Sequence, residues 1–252
     1  VRIGHRRRLT KSSTGDALDD RRADLLLGDI RHRLVFDRQT LTATFEGPPL
    51  SPDELLHPFL VPVASIAGRW LGREAFHGGA VAFPGGALAL LGPREAGKST
   101  LLAALAGAGL PVLADDMVVI EHGRVFRGPP CVDLRCAPPA GVLDGLPLAR
   151  VRRGSRFRVR LPESPLSVPL RGWVFLESGR RVALRSLDPR ERLSRLARWR
   201  SWPALASDPA AFLDLAALPV WGLARPRRWS ALAATIKVLR QAAEDSLPRG
   251  CD

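Results

Sequence analysis

Eight consecutive residues, Gly92-Pro93-Arg94-Glu95-Ala96-Gly97-Lys98-Ser99, constrain this chain more than any other stretch. They match the spacing G-x-x-x-x-G-K-[ST], with "GALALLG" before and "KSTLLAALAGAG" after. The first run has the length and apolarity of a buried strand; the second is built of strong helix formers and closes at Gly107 and Gly109. A turn of this length between a strand and a helix aims successive backbone N–H groups at an anion. The glycines let the anion approach the main chain, and the helix N-terminus adds its positive end. The stretch therefore predicts a phosphate-binding loop formed by Gly92, Pro93, Arg94, Glu95, Ala96, Gly97, Lys98, Ser99 and the following Thr100. In such a loop the lysine, Lys98, reaches the β- and γ-phosphates of a nucleoside triphosphate and the Ser99 hydroxyl ligates Mg2+. ATP or another nucleoside triphosphate, with Mg2+, are the cofactors expected.

Lys98 stands out against its background. Lys11, Lys98 and Lys237 are the only lysines in a chain with 38 basic residues, and Asn and Tyr are absent, so the arginine excess reads as coding bias. After the helix, "LPVLA" ends in Asp115-Asp116. Carboxylates at a strand end beside a phosphate loop suit either Mg2+ ligation or acceptance of a proton from an attacking hydroxyl. Sequence does not say which of the two faces the loop, since adjacent strand-end residues point in different directions.

The remaining composition narrows the class. A chain of 252 residues with 46% hydrophobic content can bury a sizeable core, as one α/β domain with or without a smaller N-terminal part. A formal charge of +13 attracts anions such as nucleotides and acidic peptides. No nucleic-acid reading motif accompanies that charge, so nucleic acid is disfavoured as a partner. Cys131, Cys136 and Cys251 provide neither a disulfide framework nor a zinc spacing, which fits a reducing cytoplasm. "VRIGHRRRLTKSSTGDALDD" has no apolar core of a secretory signal, and no run reaches membrane-span length, so no membrane association is expected.

Three parts are expected along the chain: a flexible segment over 1–22, a small α+β part over 23–75 and a phosphate-loop domain over 76–252. "RHRLVFD" and "TLTATF" alternate like strands. Asp53 is the expected N-cap of a partly helical stretch that Pro58 and Pro62 interrupt. "HGGAVAF" and "GALALLG", joined by "PGG", predict antiparallel neighbours. "MVVIEHG" and "RVFRG" predict a further strand pair, as do "RGWVFLE" and "RRVALRSL". Three helices follow in "DPRERLSRLARWR", "DPAAFLDLAAL" and "RWSALAATIKVLRQAAED". Between Pro129 and Pro169 the chain is rich in Pro, Gly and Arg and reads as a loop over the site; Arg150 to Arg160, with Arg152 and Arg153, would contact an acidic substrate or close on the phosphates.

Taken in order, His77-Gly78 opening a strand, a second strand, the phosphate loop, a helix ending in glycine, and "LADD" before an apolar strand resemble the HPr kinase/phosphorylase-like P-loop kinases. Their fold is related to phosphoenolpyruvate carboxykinase. The resemblance covers Phe76 to about Ile120, and it implies an α/β fold with a mixed, partly antiparallel sheet and C-terminal helices. "LAALPVWGLARP" and "RPRRWSALAATIKVL" further resemble the short HPr-kinase-like proteins of lasso-peptide gene clusters. The resemblance implies an ATP-dependent kinase of a serine-type hydroxyl on a peptide or protein, such as a lasso-peptide precursor. In it Asp115 is the catalytic base, Lys98 acts on the phosphates, His77 lies near them, and Ser99 and Asp116 serve the metal. A homo-oligomer is compatible with it. The chain departs from the family at Thr100, where an acid is common, and at Pro169, so phosphorylase activity is not implied. A small-molecule kinase and a nucleotide-binding regulatory protein with little catalysis stay open as alternatives.

Overall fold

The computed structural model describes residues 1–7, 16–27, 31–143, 145–151 and 155–246. The chain divides into two compact units, Val1–Arg73 with Trp202–Asp208, and Glu74–Ser201 with Pro209–Asp252.

The first unit is a five-stranded sheet with a helix. Its strands are β1 (Arg2–Arg6), β2 (Ala17–Leu18), β3 (Arg22–Leu26), β4 (Arg33–Asp37) and β5 (Thr42–Glu46), in the order β1-β5-β4-β3-β2. The N-terminal residues, expected to be loose, are thus partly strand: β1 pairs in parallel with β5 from Arg2↔Thr42 to Arg6↔Glu46. A short helical turn α1 (Pro52–Glu54) begins at Ser51, not at Asp53. Ser51 accepts from the Glu54 N–H at 3.2 Å and the Glu54 carboxylate accepts from the Ser51 N–H at 3.0 Å, a reciprocal capping box. Pro52 occupies the first helical position, where no N–H is needed. After a kink at His57-Pro58, helix α2 (Leu60–Trp70) carries Pro62 in its first turn, so this proline does not interrupt it. Phe36, Phe45, Phe59, Ile66 and Trp70 form the core of this unit.

The second unit is mixed α/β. Its elements are β6 (Glu74–Phe83), β7 (Gly86–Leu91), α3 (Lys98–Gly107), β8 (Val112–Ala114), β9 (Met117–Glu121), β10 (Arg124–Phe126), β11 (Cys131–Leu134), β12 (Leu148–Val151), β13 (Arg156–Arg160), β14 (Ser167–Ser178), β15 (Ala183–Ser186), α4 (Pro189–Trp199), α5 (Pro209–Ala217), β16 (Val220–Arg225) and α6 (Leu232–Asp245). The main sheet runs β10-β9-β6-β7-β14-β16-β15, with β8 also pairing β6 and β10 also pairing the start of β14. β14 is parallel to β7 and β16; the other pairings are antiparallel, including the β6–β7 hairpin foreseen from "PGG".

Both faces of this sheet are buried, which is why its central strands read as continuous apolar runs. Leu88, Leu90, Val174 and Leu176 face one core with Leu101, Leu105 and Leu239 of the helices α3 and α6. Leu91, Trp173 and Phe175 face the other core with Leu196 and Leu215 of α4 and α5. At the crowded centre, a Cβ on Gly78 would lie 2.4 Å from a Leu91 methyl and 2.6 Å from the Leu90 carbonyl, so only glycine lets β6 and β7 approach this closely.

The Pro- and Arg-rich segment is not one loop. β11, β13 and β12 form a separate three-stranded antiparallel sheet in that order. Its sequence hides this because Arg156, Arg158 and Arg160 occupy one side of β13 while Phe157 and Val159 alternate with them. Arg158 is buried and makes two bonds to Asp133, at 2.7 and 3.0 Å, which compensates its charge. Arg152 and Arg153 lie outside the described residues.

Candidate active site

Strand β7 delivers its last residue, Leu91, into the loop that begins at Gly92, and α3 starts at Lys98. Gly92 takes φ +154 and Gly97 φ +83, the left-handed half of backbone space that favours glycine. Glu95 also takes a positive φ of 70°, and the Ala96 N–H closes a turn onto the Pro93 carbonyl at 3.1 Å. The Lys98 ammonium folds back over the loop, donating to the Gly92 carbonyl at 2.6 Å and the Pro93 carbonyl at 3.3 Å. Burial lowers the Lys98 pKa, while Asp115 and Asp116 act against that. Arg94 and Glu95 sit on the exposed side of the loop, and Arg135 pairs with the Glu95 carboxylate. Thr100 is half-buried in the first turn of α3.

The two aspartates are pinned beside this loop from both sides. β8 pairs β6 through Ala80↔Ala114, and β9 pairs β6 through His77↔Met117, so the turn between β8 and β9 stands next to His77. The Gly78 N–H donates to the Asp116 carbonyl at 3.2 Å. Asp116 has φ +78, a conformation aspartate tolerates better than most residues. The turn sends the two carboxylates in different directions. Asp115 is buried and accepts a hydrogen bond from the Ser99 hydroxyl at 3.1 Å. The Asp116 side chain is 42% exposed and lies 3.7 Å from His77 Nδ1, itself 42% exposed.

Burial, with the negative charge of Asp116, pushes the Asp115 pKa up from 3.8 to about 7; the Ser99 bond and Lys98 oppose that shift, and Asp133 adds to it. Burial is also the main reason the His77 pKa falls below 6.5; Lys98 adds to that fall and Asp116 opposes it. A divalent cation beside Asp115 and Ser99 would draw the carboxylate back to its ionised form. The donor set fits Mg2+, which takes one or two protein oxygens and completes its shell with phosphate and water. Among the described residues no group of three or more His, Cys, Asp or Glu side chains could hold a metal ion unaided. Ser99 and one carboxylate beside a polyphosphate are a site of the other kind.

The described residues of the segment from Arg150 to Arg160 belong to the separate sheet of β11, β12 and β13, whereas the loop from Gly92 to Thr100, with Lys98 and Ser99, comes together with Asp115, Asp116 and His77. Three more belong to the same place. Trp199, the last residue of α4, stacks on His77 with centroids 6.2 Å apart and planes at 19°, and its ring centroid is 5.8 Å from the Lys98 ammonium. Arg225 donates to the carbonyls of Ala96 at 3.1 Å and Gly97 at 2.9 Å. Arg227 donates to the Glu95 carbonyl at 3.0 Å. No local pattern marks these three, because they arrive from elements about 100 residues or more away and two of them are arginines in an arginine-rich chain.

No family model matches the chain, and no curated protein matches it. Among solved structures it is similar to the Hpr(Ser) kinase/phosphatase from Coxiella burnetii, at 12% identity and a TM-score of 0.36, over 68% of this chain and 98% of that one. No helix of the described residues is long and apolar enough to cross a membrane.

Proposed function

We propose that the second unit is a phosphotransferase that uses a magnesium–nucleoside triphosphate, ATP by expectation, to phosphorylate a serine-type hydroxyl of a peptide or protein. The observation that carries the reading is the contact of Ser99 with Asp115 at 3.1 Å beside a Lys98-bearing phosphate loop, with a second carboxylate and a histidine alongside. The strand order supports it too: a hairpin, the loop, a helix, a strand, the paired aspartates and a strand follow one another as the kinase resemblance implies.

The two aspartates divide the work. Asp115 and Ser99 are the oxygens that would hold Mg2+, and Lys98 would meet the phosphate oxygens. Asp116 is the better placed of the two to meet an incoming hydroxyl: its side chain is accessible from solvent, whereas Asp115 is buried and accepts from Ser99. This exchanges the roles expected for the pair. His77, whose pKa burial lowers and whose ring stacks on Trp199, stands 3.7 Å from Asp116 and orients it. A bound magnesium–nucleotide complex supplies the terminal phosphoryl group and offsets its charge. Asp116 takes the acceptor's hydroxyl proton as its oxygen bonds to phosphorus, and the nucleoside diphosphate departs with the electrons of the broken P–O bond.

A precursor peptide of the lasso-peptide type is the acceptor we propose within this reading, on the likeness of "LAALPVWGLARP" and "RPRRWSALAATIKVL" alone. The test is incubation of the chain with labelled ATP, Mg2+ and the peptides encoded beside its gene, followed by location of the label by mass spectrometry. Label on a serine hydroxyl supports the reading. Label on a free metabolite replaces it with a small-molecule kinase, and nucleotide binding without transfer to any acceptor replaces it with a regulatory protein.

A further inference from the structure

Arg225 ends β16, hydrogen-bonded in parallel to β14 at Ser178, and is only 2% exposed. Among the described residues no carboxylate forms an ion pair with it, its Nε has no hydrogen-bond partner, and the charge that bears on it is that of another arginine, Arg227. A buried guanidinium keeps its proton, so this is a buried positive charge without a negative one to offset it. The charge lies against the phosphate loop: Nη2 donates to the carbonyls of Ala96 and Gly97.

Those two bonds fix more than the carbonyls. In a planar trans peptide the N–H points opposite to the C=O, so holding the Ala96 and Gly97 oxygens toward Arg225 turns the N–H groups of Gly97 and Lys98 to the other side. Arg227 does the same to the peptide after Glu95. The packing is close enough to select the loop's sequence: a Cβ on Gly97 would stand 2.5 Å from Arg225 Nη2. Gly97 is thus glycine both for its φ of +83 and for the guanidinium beside it.

We propose that Arg225 is a positioning residue of the phosphate site: it holds the loop with its N–H groups presented to a polyphosphate and places beside the anion a charge that the protein leaves unmatched. The inference rests on the phosphate-loop reading and extends it to a residue more than a hundred positions away.

Calorimetric titration of the full chain with inorganic pyrophosphate tests it. Arg225→Met, which keeps bulk and removes charge, is expected to weaken pyrophosphate binding by about tenfold or more, and Arg225→Lys to recover part of the loss. Without anion, the thermal midpoint of Arg225→Met should equal or exceed that of the wild type, since an unmatched buried charge has gone. A bracing role alone would lower that midpoint. Equal affinity of wild type and Arg225→Met, or a lowered anion-free midpoint with unchanged affinity, overturns the inference while leaving the loop reading intact. If Arg225→Met does not fold, Arg225→Lys decides: affinity equal to wild type overturns the role of the guanidinium. Wild type that fails to bind pyrophosphate, or binds it equally well after Lys98→Ala, overturns the loop reading and the inference together.

Discussion

At Asp115 and Asp116, neighbours in sequence have opposite surroundings, and opposite consequences follow from changing them. If Asp115 holds Mg2+ as proposed, Asp115→Asn exchanges its charged oxygens for a neutral amide and should weaken the Mg2+ dependence of nucleotide binding. Asp116→Asn should leave binding intact and cut phosphoryl transfer by roughly 10²–10⁴-fold, the usual worth of a positioned base. Calorimetry beside single-turnover transfer separates the two; full transfer by Asp116→Asn would return the proton to Asp115 or end the mechanism. The metal-free protein carries a second signature. Because the folded-state pKa of Asp115 is raised from 3.8 to about 7, the folded form keeps a proton that the unfolded form has released between those values. Stability contributed by this group is therefore lost as pH rises through that window. Asp115→Asn should flatten the dependence and make the metal-free protein more stable than wild type at pH 8, measured by urea denaturation without Mg2+. The loop residues and the two aspartates stood out in the sequence because the loop spacing and the double aspartate each need particular residue types; His77 came only with the family resemblance, and Trp199, Arg225 and Arg227 were not marked at all. Which of the two carboxylates is buried was not legible, since the positive φ of Asp116 is a property of the folded turn.

Among the elements, the phosphate loop and its helix depend on two glycines with similar backbone and different neighbours. Gly97 has φ +83 with Arg225 2.5 Å from a hypothetical Cβ; Gly109, just beyond α3, has φ +79 with nothing within 4 Å. Gly109→Ala should cost about 1–2 kcal/mol, the left-handed conformation alone. Gly97→Ala should cost more than that and also weaken nucleotide binding. Urea denaturation of both, with nucleotide titration of each, checks the pair, and equal losses would mean that Arg225 yields freely. The β6–β7 hairpin, the loop, α3 and the three later helices could be read from turn residues, capping aspartates and periodicity. Two features were hidden. Ser51 rather than Asp53 caps α1 because Glu54 completes the capping box with it and Pro52 suits the first helical position. The sheet of β11, β12 and β13 looked like a loop because its buried Arg158 is matched by Asp133, a pairing no local pattern announces.

For the whole molecule, the formal charge of +13 pointed to anionic partners without naming one. Some arginines are committed to ion pairs, among them Arg158 with Asp133, Arg200 with Glu74 and Arg185 with Glu191, but each pair also uses a carboxylate, so the net excess remains on the basic residues outside such pairs. The positive charge on which the proposed function depends is local, in Lys98 and Arg225 around one loop. Continuous apolar runs in strands buried on both sheet faces were easy to read as strands, while the order β10-β9-β6-β7-β14-β16-β15 depends on pairings between distant segments and was not. The proposed function requires this loop to bind the phosphates of a magnesium–nucleotide complex. Calorimetric titration of wild type and folded Lys98→Ala with ATP and Mg2+ tests it most directly. Saturable binding by wild type, weakened by about tenfold or more in Lys98→Ala, is the predicted result. Equal affinity in the two proteins, or none in the wild type, would contradict it.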